Sequence, residues 1–286
     1  MKVGLIGCGA MGGAMAARLA ETGDPPICHD AARAALEAAA AGGGEPAASA
    51  AAVADVADVL ILSLPHGAAV RAAMAEAGPA LRPGAVVLDA TTSDPATSRE
   101  MAAAADAAGH AFVDAPVSGG PSGARAGTMT MLLGGDAEAI AHARPVVDRL
   151  TAKTVHVGGP GAGHAAKILN NMLCAANLVL VSEAAHMAEA AGLDPAAVLE
   201  GVNAGSGRSG VSEVNFPRWA LSGAYDSGFT MGLMRKDVAL AVAFAEEAGV
   251  PLNGFGPIAE FWAKSADALP DDADFNEIHK LGGARP

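Results

Sequence analysis

A short β-type run, Lys2 to Ile6, leads directly into Gly7-Cys8-Gly9-Ala10-Met11-Gly12 and then into the helix-like segment MGGAMAARLAE. A strand, a G-x-G-x-x-G turn and a helix in that order leave few folds open. The first glycine permits the tight turn and the second lets the backbone approach a pyrophosphate. The third allows close helix–strand packing, and the helix N-terminus faces the phosphates. Gly7, Gly9, Ala10, Met11 and Gly12 are thus the candidate dinucleotide-binding residues. The second strand, Pro26 to His29, ends at Asp30, close to the ~20-residue offset at which an acid takes the adenosine ribose hydroxyls. A carboxylate there repels a 2′-phosphate, so NAD is expected as cofactor. Arg33 nearby keeps NADP as the alternative.

The same alternation continues. Residues 31 to 57 read as Ala-rich helix and loop, and Asp58 to Leu64 as a continuous apolar strand of the buried parallel type. Pro65 ends it, and His66 to Ala77 reads as helix. Ala85 to Asp89 is the next strand, followed by Thr91-Thr92-Ser93-Asp94-Pro95 and a helix to about Ala108. Then come a strand at Ala111 to Asp114, a Gly-rich stretch over 115–127, and a strand at Thr128 to Leu133. A helix from Asp136 to Leu150 and a strand at Thr154 to Val157 complete the half. Strands alternating with helices predict an α/β, doubly wound Rossmann-type sheet over residues 1–160.

From Gly161 the strand signals stop, and residues 161–286 read as an all-α domain. It begins with one long helix: His164 to Ala191 contains no Gly and no Pro and is dominated by Ala, Leu, Met, Glu and Lys. At about 1.5 Å per residue it runs roughly 42 Å. Its apolar residues lie nearly all round, which predicts a buried spine between two packed bodies. Lys167, Asn170 and Asn171 interrupt it and, at i, i+3 and i+4, share one face. Further helices are expected near Pro195 to Val202, Ser212 to Leu221, Leu233 to Ala248 and Pro257 to Ala268, with a Gly/Ser-rich turn at Ala204 to Gly210.

Composition excludes several classes. Net charge is −13 with no basic block, which argues against nucleic acid and anionic membrane surfaces as partners. No run reaches about 18 uninterrupted apolar residues, the length a membrane span needs. The glycine spacing and helical continuation argue against reading the N-terminal run as a signal peptide. Cys8, Cys28 and Cys174 lie far apart without metal spacing, as expected of reduced, small apolar residues in a cytoplasmic protein. Glu183-x-x-His186 is half of a di-iron helix motif, but the second copy and the further Glu residues are missing, so no metal is expected. Neither a G-x-S-x-G elbow nor a G-x-x-x-x-G-K loop occurs.

Four stretches in order, GLIGCGAMGGAMA (4–16), DAPVSGGPSGARAGTM (114–129), GAGHAAKILNN (161–171) and MRKDVALA (234–241), carry a resemblance over nearly the whole chain. The chain resembles the β-hydroxyacid dehydrogenases, the group containing 3-hydroxyisobutyrate dehydrogenase and tartronate semialdehyde reductase. The resemblance implies that Ser118, Gly119 and Gly120 bind a substrate carboxylate and that Lys167 is the acid/base. Asn170 and Asn171 match the amides that follow it, with Asn171 holding substrate. Lys236 and Asp237 match a pair whose Lys approaches the cofactor and whose Asp faces the substrate. Thr92 matches a threonine beside the nicotinamide ribose, and Leu64-Pro65 the loop after the third strand. For Lys167 to take a hydroxyl proton its amine must be neutral, which desolvation or a nearby cation favours.

Three departures or retentions refine this. Cys8 stands where the family usually has Leu or Ile. Asp30 replaces the Asn-Arg-Thr-like signature of NADP-preferring members. Lys167 is retained, whereas imine reductases commonly replace it. The resemblance implies reversible NAD-dependent oxidation of a short 3-hydroxy acid to its semialdehyde by a homodimer or homotetramer. The alternative is NADPH-dependent reduction of a semialdehyde (tartronate, glyoxylate or succinic). A 6-phosphogluconate-type decarboxylating enzyme would need a longer α domain and more cations, and a non-catalytic dinucleotide sensor would be expected to lose Lys167. The stretch 204–221 is expected to shape the far end of the pocket, with Phe216 and Trp219 as its walls.

Overall fold

The computed structural model describes residues 1–281, so the last five positions of the expected α domain lie outside the described residues. The chain divides into two compact units, Met1–Lys167 and from Ile168 onward. In the first unit the strands are β1 (Val3–Ile6), β2 (Ile27–His29), β3 (Glu45–Pro46), β4 (Val59–Leu62), β5 (Val86–Asp89), β6 (Ala111–Asp114), β7 (Val117–Ser118), β8 (Met129–Gly134) and β9 (Thr151–Gly158). They form one sheet in the order β3-β2-β1-β4-β5-β6-β8-β7, with β9 pairing β8. The run from β3 to β6 is parallel, while β8 pairs antiparallel to β6 and β7. This is the doubly wound architecture expected from the sequence.

Both faces of the sheet are covered, which is why its strands are apolar without alternation. Successive residues still point to opposite faces. Val59 and Ile61 join one core with Leu5, Val86 and Leu88, whereas Leu60 and Leu62 join the other with Ile6 and Val87. The first face is covered by α1 (Ala10–Glu21), through Met15 and Leu19, and by α2 (Arg33–Ala41). The opposite face takes Val53 of α3 (Ala50–Ala54), Val70 of α4 (Gly67–Ala77), and Met101 of α5 (Pro95–Ala107). Back on the first face, α6 (Gly120–Ala126) and α7 (Ala137–Leu150) complete the cover. The Gly-rich stretch 115–127, expected as a loop, is thus partly ordered: it contains β7 and α6.

Strand order reverses between β1 and β4, and the Gly7–Gly12 turn lies at the C-terminal end of β1, at that switch point. Gly7 adopts φ +94, and a Cβ there would stand 2.2 Å from the Ser63 carbonyl oxygen. A Cβ on Gly12 would stand 1.9 Å from the Gly7 carbonyl oxygen. Gly9 differs: a Cβ there meets no atom within 4 Å. Two of the glycines are demanded by the chain's own packing, and the third leaves its backbone open to approach.

The second unit is helical. It is built from α8 (Ala162–Ala190, which begins in the first unit), α9 (Pro195–Asn203), α10 (Met231–Glu247) and α11 (Gly256–Lys264). A 3-10 segment spans Phe275–Leu281. Val211–Leu221 is a π-helix with Pro217 inside it, a local widening that the helical expectation for this stretch did not include. The core gathers Ile168, Leu178, Leu199, Phe216, Met234 and Trp262, whose indole N–H donates to the Ala175 carbonyl at 3.2 Å. Phe216 is therefore a core residue and not a pocket wall. Trp219 is half-buried under the Arg218 guanidinium, 4.9 Å from the ring centroid.

The long helix is not buried all round as its composition implied. Leu169, Leu173, Leu180 and Met187 (73% exposed) lie on its accessible side. By length and composition α8 could cross a membrane. Its packing of Ile168, Ala175, Leu178, Val179 and Ala185 into the core reads it instead as the central helix of this unit.

His186, half of the weighed metal motif, stacks on His279 with centroids 4.5 Å apart, and Phe216 meets His279 edge-on at 4.8 Å. Nδ1 of both imidazoles is buried without a hydrogen-bond partner among the described residues. Burial, reinforced by His186, holds the His279 pKa below its ordinary value, with Glu189 opposing. A histidine lowered in the folded state adds stability that is complete above the unfolded value near ~6.5 and is lost as pH falls through it. Melting temperature should therefore fall between pH 7.5 and pH 5.5, and by less in His279→Phe; equal falls in the two proteins would discount the histidine pair. Gly12→Ala should cost about 2–3 kcal/mol in urea unfolding, because the clash is with backbone that cannot yield cheaply. An unchanged midpoint would show that α1 shifts freely.

Candidate active site

Asp30 directly follows β2 beside the glycine turn. Its Oδ2 accepts the Cys8 N–H at 2.6 Å and its Oδ1 accepts the Ala32 N–H at 2.7 Å. The carboxylate therefore braces the G-x-G-x-x-G loop itself, a role the spacing argument did not reveal. Each oxygen has further lone pairs for a ribose hydroxyl. Cys8 and Cys28, distant in sequence, share the buried core beneath the loop, the Cys8 thiol donating to the His29 carbonyl at 3.6 Å and the Cys28 thiol to the Pro26 carbonyl at 3.4 Å. The influence of each thiol on the other draws Cys8 below its ordinary value and, together with burial, pushes Cys28 up.

Gly9 caps α1 without a side-chain partner, and no acid occupies the first turn of that helix. Ala10 is exposed and Met11 half-buried at its start. The first N–H groups of a helix have no intrahelical partner, and with the positive end of the helix dipole they suit an anion, which the open space at Gly9 admits close to the backbone. These residues fit a dinucleotide pyrophosphate.

Leu64 and Pro65 follow β4, and the Leu64 N–H donates to the Thr91 hydroxyl at 3.1 Å. Thr91, which the sequence did not single out, thereby ties the loop after β4 to the loop after β5, where Thr92 is half-buried. His66 ends the first of these loops by capping α4, its Nδ1 accepting from the Ala69 N–H.

Ser118 closes the short strand β7, in register with Thr130 of β8. Gly119 (φ +126) and Gly120 (φ +64) follow in conformations that favour glycine, and they turn the chain into α6. Lys167 donates from Nζ to the Ser118 hydroxyl at 2.9 Å and is only 7% exposed. The expected acid/base and the first expected substrate-binding residue are thus in direct contact within the first unit.

Lys167 is placed by the start of α8. Asp114, fully buried at the end of β6, accepts the Gly161 N–H at 2.7 Å and the His164 N–H at 2.9 Å. A Cβ on Gly163 would stand 2.5 Å from the Leu132 carbonyl oxygen, so the helix starts flush against the sheet. In the sequence Asp114 marks only the edge of a motif; its capping role depends on a contact 47 positions away.

In the second unit Asp237, at 1% exposure, accepts from the Asn171 amide, Nδ2 to Oδ2, at 2.5 Å. The Lys236 ammonium lies 3.1 Å from Oδ1 of the same carboxylate. Taken from sequence alone the Lys–Asp pair would be an exposed helix pair, yet its carboxylate is buried. Asn170 is exposed and donates to Oδ1 of Asn171, orienting that amide.

Two family models cover the chain. The NAD binding domain of 6-phosphogluconate dehydrogenase matches residues 2–158, and the NAD-binding domain of NADP-dependent 3-hydroxyisobutyrate dehydrogenase matches residues 161–281. The chain is 36% identical to the 3-hydroxyisobutyrate dehydrogenase of Pseudomonas aeruginosa, over 98% of this chain and 97% of the relative. It is also 36% identical to the NAD-dependent L-serine dehydrogenase of the same organism, with the same coverage. The solved structure of Mycobacterium tuberculosis 3-hydroxyisobutyrate dehydrogenase with L-serine superposes with a TM-score of 0.93 at 32% identity, covering 99% of each chain. The chain belongs to the β-hydroxyacid dehydrogenase family of NAD(P)-dependent oxidoreductases, built from a Rossmann-type sheet followed by an all-α C-terminal domain.

Proposed function

We propose that the chain oxidises a short 3-hydroxy acid of the 3-hydroxyisobutyrate or serine kind to its semialdehyde, reversibly and with NAD. The observation that carries this reading is the buried Lys167, with Nζ 2.9 Å from the Ser118 hydroxyl. Gly7, Gly9, Ala10, Met11 and Gly12 hold the pyrophosphate, Asp30 the adenosine ribose, and Leu64, Pro65, Thr92 and Lys236 the nicotinamide half. NAD, when bound, accepts a hydride from the carbinol carbon. Lys167 takes the hydroxyl proton at Nζ, and in reduction returns it. Ser118, Gly119 and Gly120 hold the carboxylate, since a hydroxyl followed by glycine backbone lets an anion come close. Asn171 and Asp237 hold and orient the substrate's polar end, with Asn170 fixing the amide of Asn171.

Two relatives with the same identity bear names with different substrates, one 3-hydroxyisobutyrate and one L-serine, which supports the class and leaves the member to be assigned. The reading extends to residues 1–160 as the dinucleotide-binding domain and 161–286 as the α domain. It also takes the chain to be a cytoplasmic homodimer or homotetramer. NADPH-dependent semialdehyde reduction is the second reading, favoured by the description of the C-terminal family model.

Nicotinamide reduction should be followed with NAD and NADP in parallel over 3-hydroxyisobutyrate, glycerate, 3-hydroxypropionate, L-serine and a sulfonated analogue. One member should turn over with NAD, and Lys167→Ala should lower its kcat roughly 100-fold or more while NAD still binds. Undiminished turnover in that variant would remove Lys167 from the chemistry. A preference for NADP would overturn the role given to Asp30.

A further inference from the structure

His164 is fully buried three residues before Lys167, on the first turn of α8. Its Nε2 lies 2.5 Å from the Thr91 carbonyl oxygen and its Nδ1 2.6 Å from the Ser98 hydroxyl. A carbonyl can only accept, so Nε2 carries the proton. In the neutral ring Nδ1 then accepts from Ser98, itself fully buried on α5. The backbone N–H of His164 donates to Asp114. Asp89 faces the same cluster. Its Oδ1 accepts the Thr91 N–H at 3.1 Å, its Oδ2 has no hydrogen-bond partner among the described residues, and burial keeps its carboxyl pKa up.

Three pieces of chain thus meet on one imidazole. They are the helix turn that carries Lys167, the loop Thr91–Asp94 that carries Thr92, and helix α5 through Ser98; the Thr91 hydroxyl in turn takes the Leu64 N–H of the loop after β4. Capping by Asp114 fixes where α8 begins but leaves the loop after β5 untouched. The imidazole joins that loop to α8 directly, through Nε2 and the Thr91 carbonyl.

We propose that His164 is a positioning residue for the dehydrogenase reaction: its Nε2–H to the Thr91 carbonyl sets the loop beside the nicotinamide at a fixed distance from Lys167. This rests on Lys167 being the acid/base. The two ring nitrogens can be imitated separately. Gln places its amide nitrogen near the Nε2 position and can reach Thr91; Asn is shorter and reaches only toward Ser98. Both are polar, so neither leaves an apolar mismatch in the cluster.

The test uses the full chain with NAD and with 3-hydroxyisobutyrate and L-serine in turn. His164→Asn should lower kcat tenfold or more, with the Kd for NAD, read by quenching of intrinsic fluorescence, within threefold of wild type. His164→Gln should recover kcat to within threefold. A purely structural role would move stability and the active fraction in both variants without that split. Wild-type kcat in His164→Asn, or a Gln variant no better than the Asn one, overturns the proposal. Ser98→Ala, which removes a single hydroxyl, is the second probe should His164→Asn not fold: a kcat reduced at least threefold supports the proposal and an unchanged kcat overturns it. Lys167→Ala is assayed alongside. Activity there would sink the lysine reading itself, whereas an inactive Lys167→Ala beside a normal His164→Asn sinks only the inference about His164.

Discussion

A buried carboxylate decides where the long helix starts. Asp114 stands at the end of β6 with no solvent exposure, and a charge there must be met by donors. The donors are the N–H groups of Gly161 and His164, so the first turn of α8 is pinned to the edge of the sheet. Each residue along a helix turns about 100°, so a start one residue earlier or later would swing Lys167 away from Ser118. Gly134 and Gly163 make room for this, since a Cβ on either would stand within 3 Å of the Asp114 carboxylate. The Lys167 amine is therefore placed by a strand end and by glycines.

The sheet was legible because its cause is local. A parallel sheet buried on both faces requires unbroken apolar runs, and DVLILSL and AVVLD are such runs. The glycine turn was legible because its pattern spans only six residues, although one of its demands, the Ser63 carbonyl against Gly7, comes from far along the chain. What the sequence hid depends on distant partners. Pairing with β8 creates β7 inside a stretch that reads as a glycine loop. The Cys8–Cys28 contact exists because β1 and β2 pair with Leu5 opposite Cys28, so that residues 20 apart share one core. His164 looks like any polar residue on a helix until Thr91 and Ser98 are brought beneath it.

The expected site residues came from the family resemblance more than from pattern. Lys167 on an apolar helix has no local signature that separates it from a snorkelling surface lysine. Asp237 next to Lys236 reads as a solvent-facing pair, and only the fold shows its carboxylate closed off and engaged by Asn171. Phe216 errs in the opposite sense. An aromatic in a Gly/Ser-flanked stretch suggested a pocket wall, but the π-helix turns it into the core against His279. Apolarity around α8 likewise overstated burial, because composition counts residues without regard to which side has a neighbour.

The glycine turn separates two kinds of selection that usually act together. Gly7 and Gly12 are held by steric demands of the chain on itself, so their loss harms folding and function alike. Gly9 has an ordinary backbone conformation and empty space where a side chain would project. A side chain there would cost the fold little while standing in the way of anything that must touch the loop. A survey that ranks variants by cellular abundance would pass over Gly9, and one that ranks them by growth on the substrate would read whether its open backbone is used. The difference between the two maps would separate what the fold asks of this loop from what a bound partner asks of it.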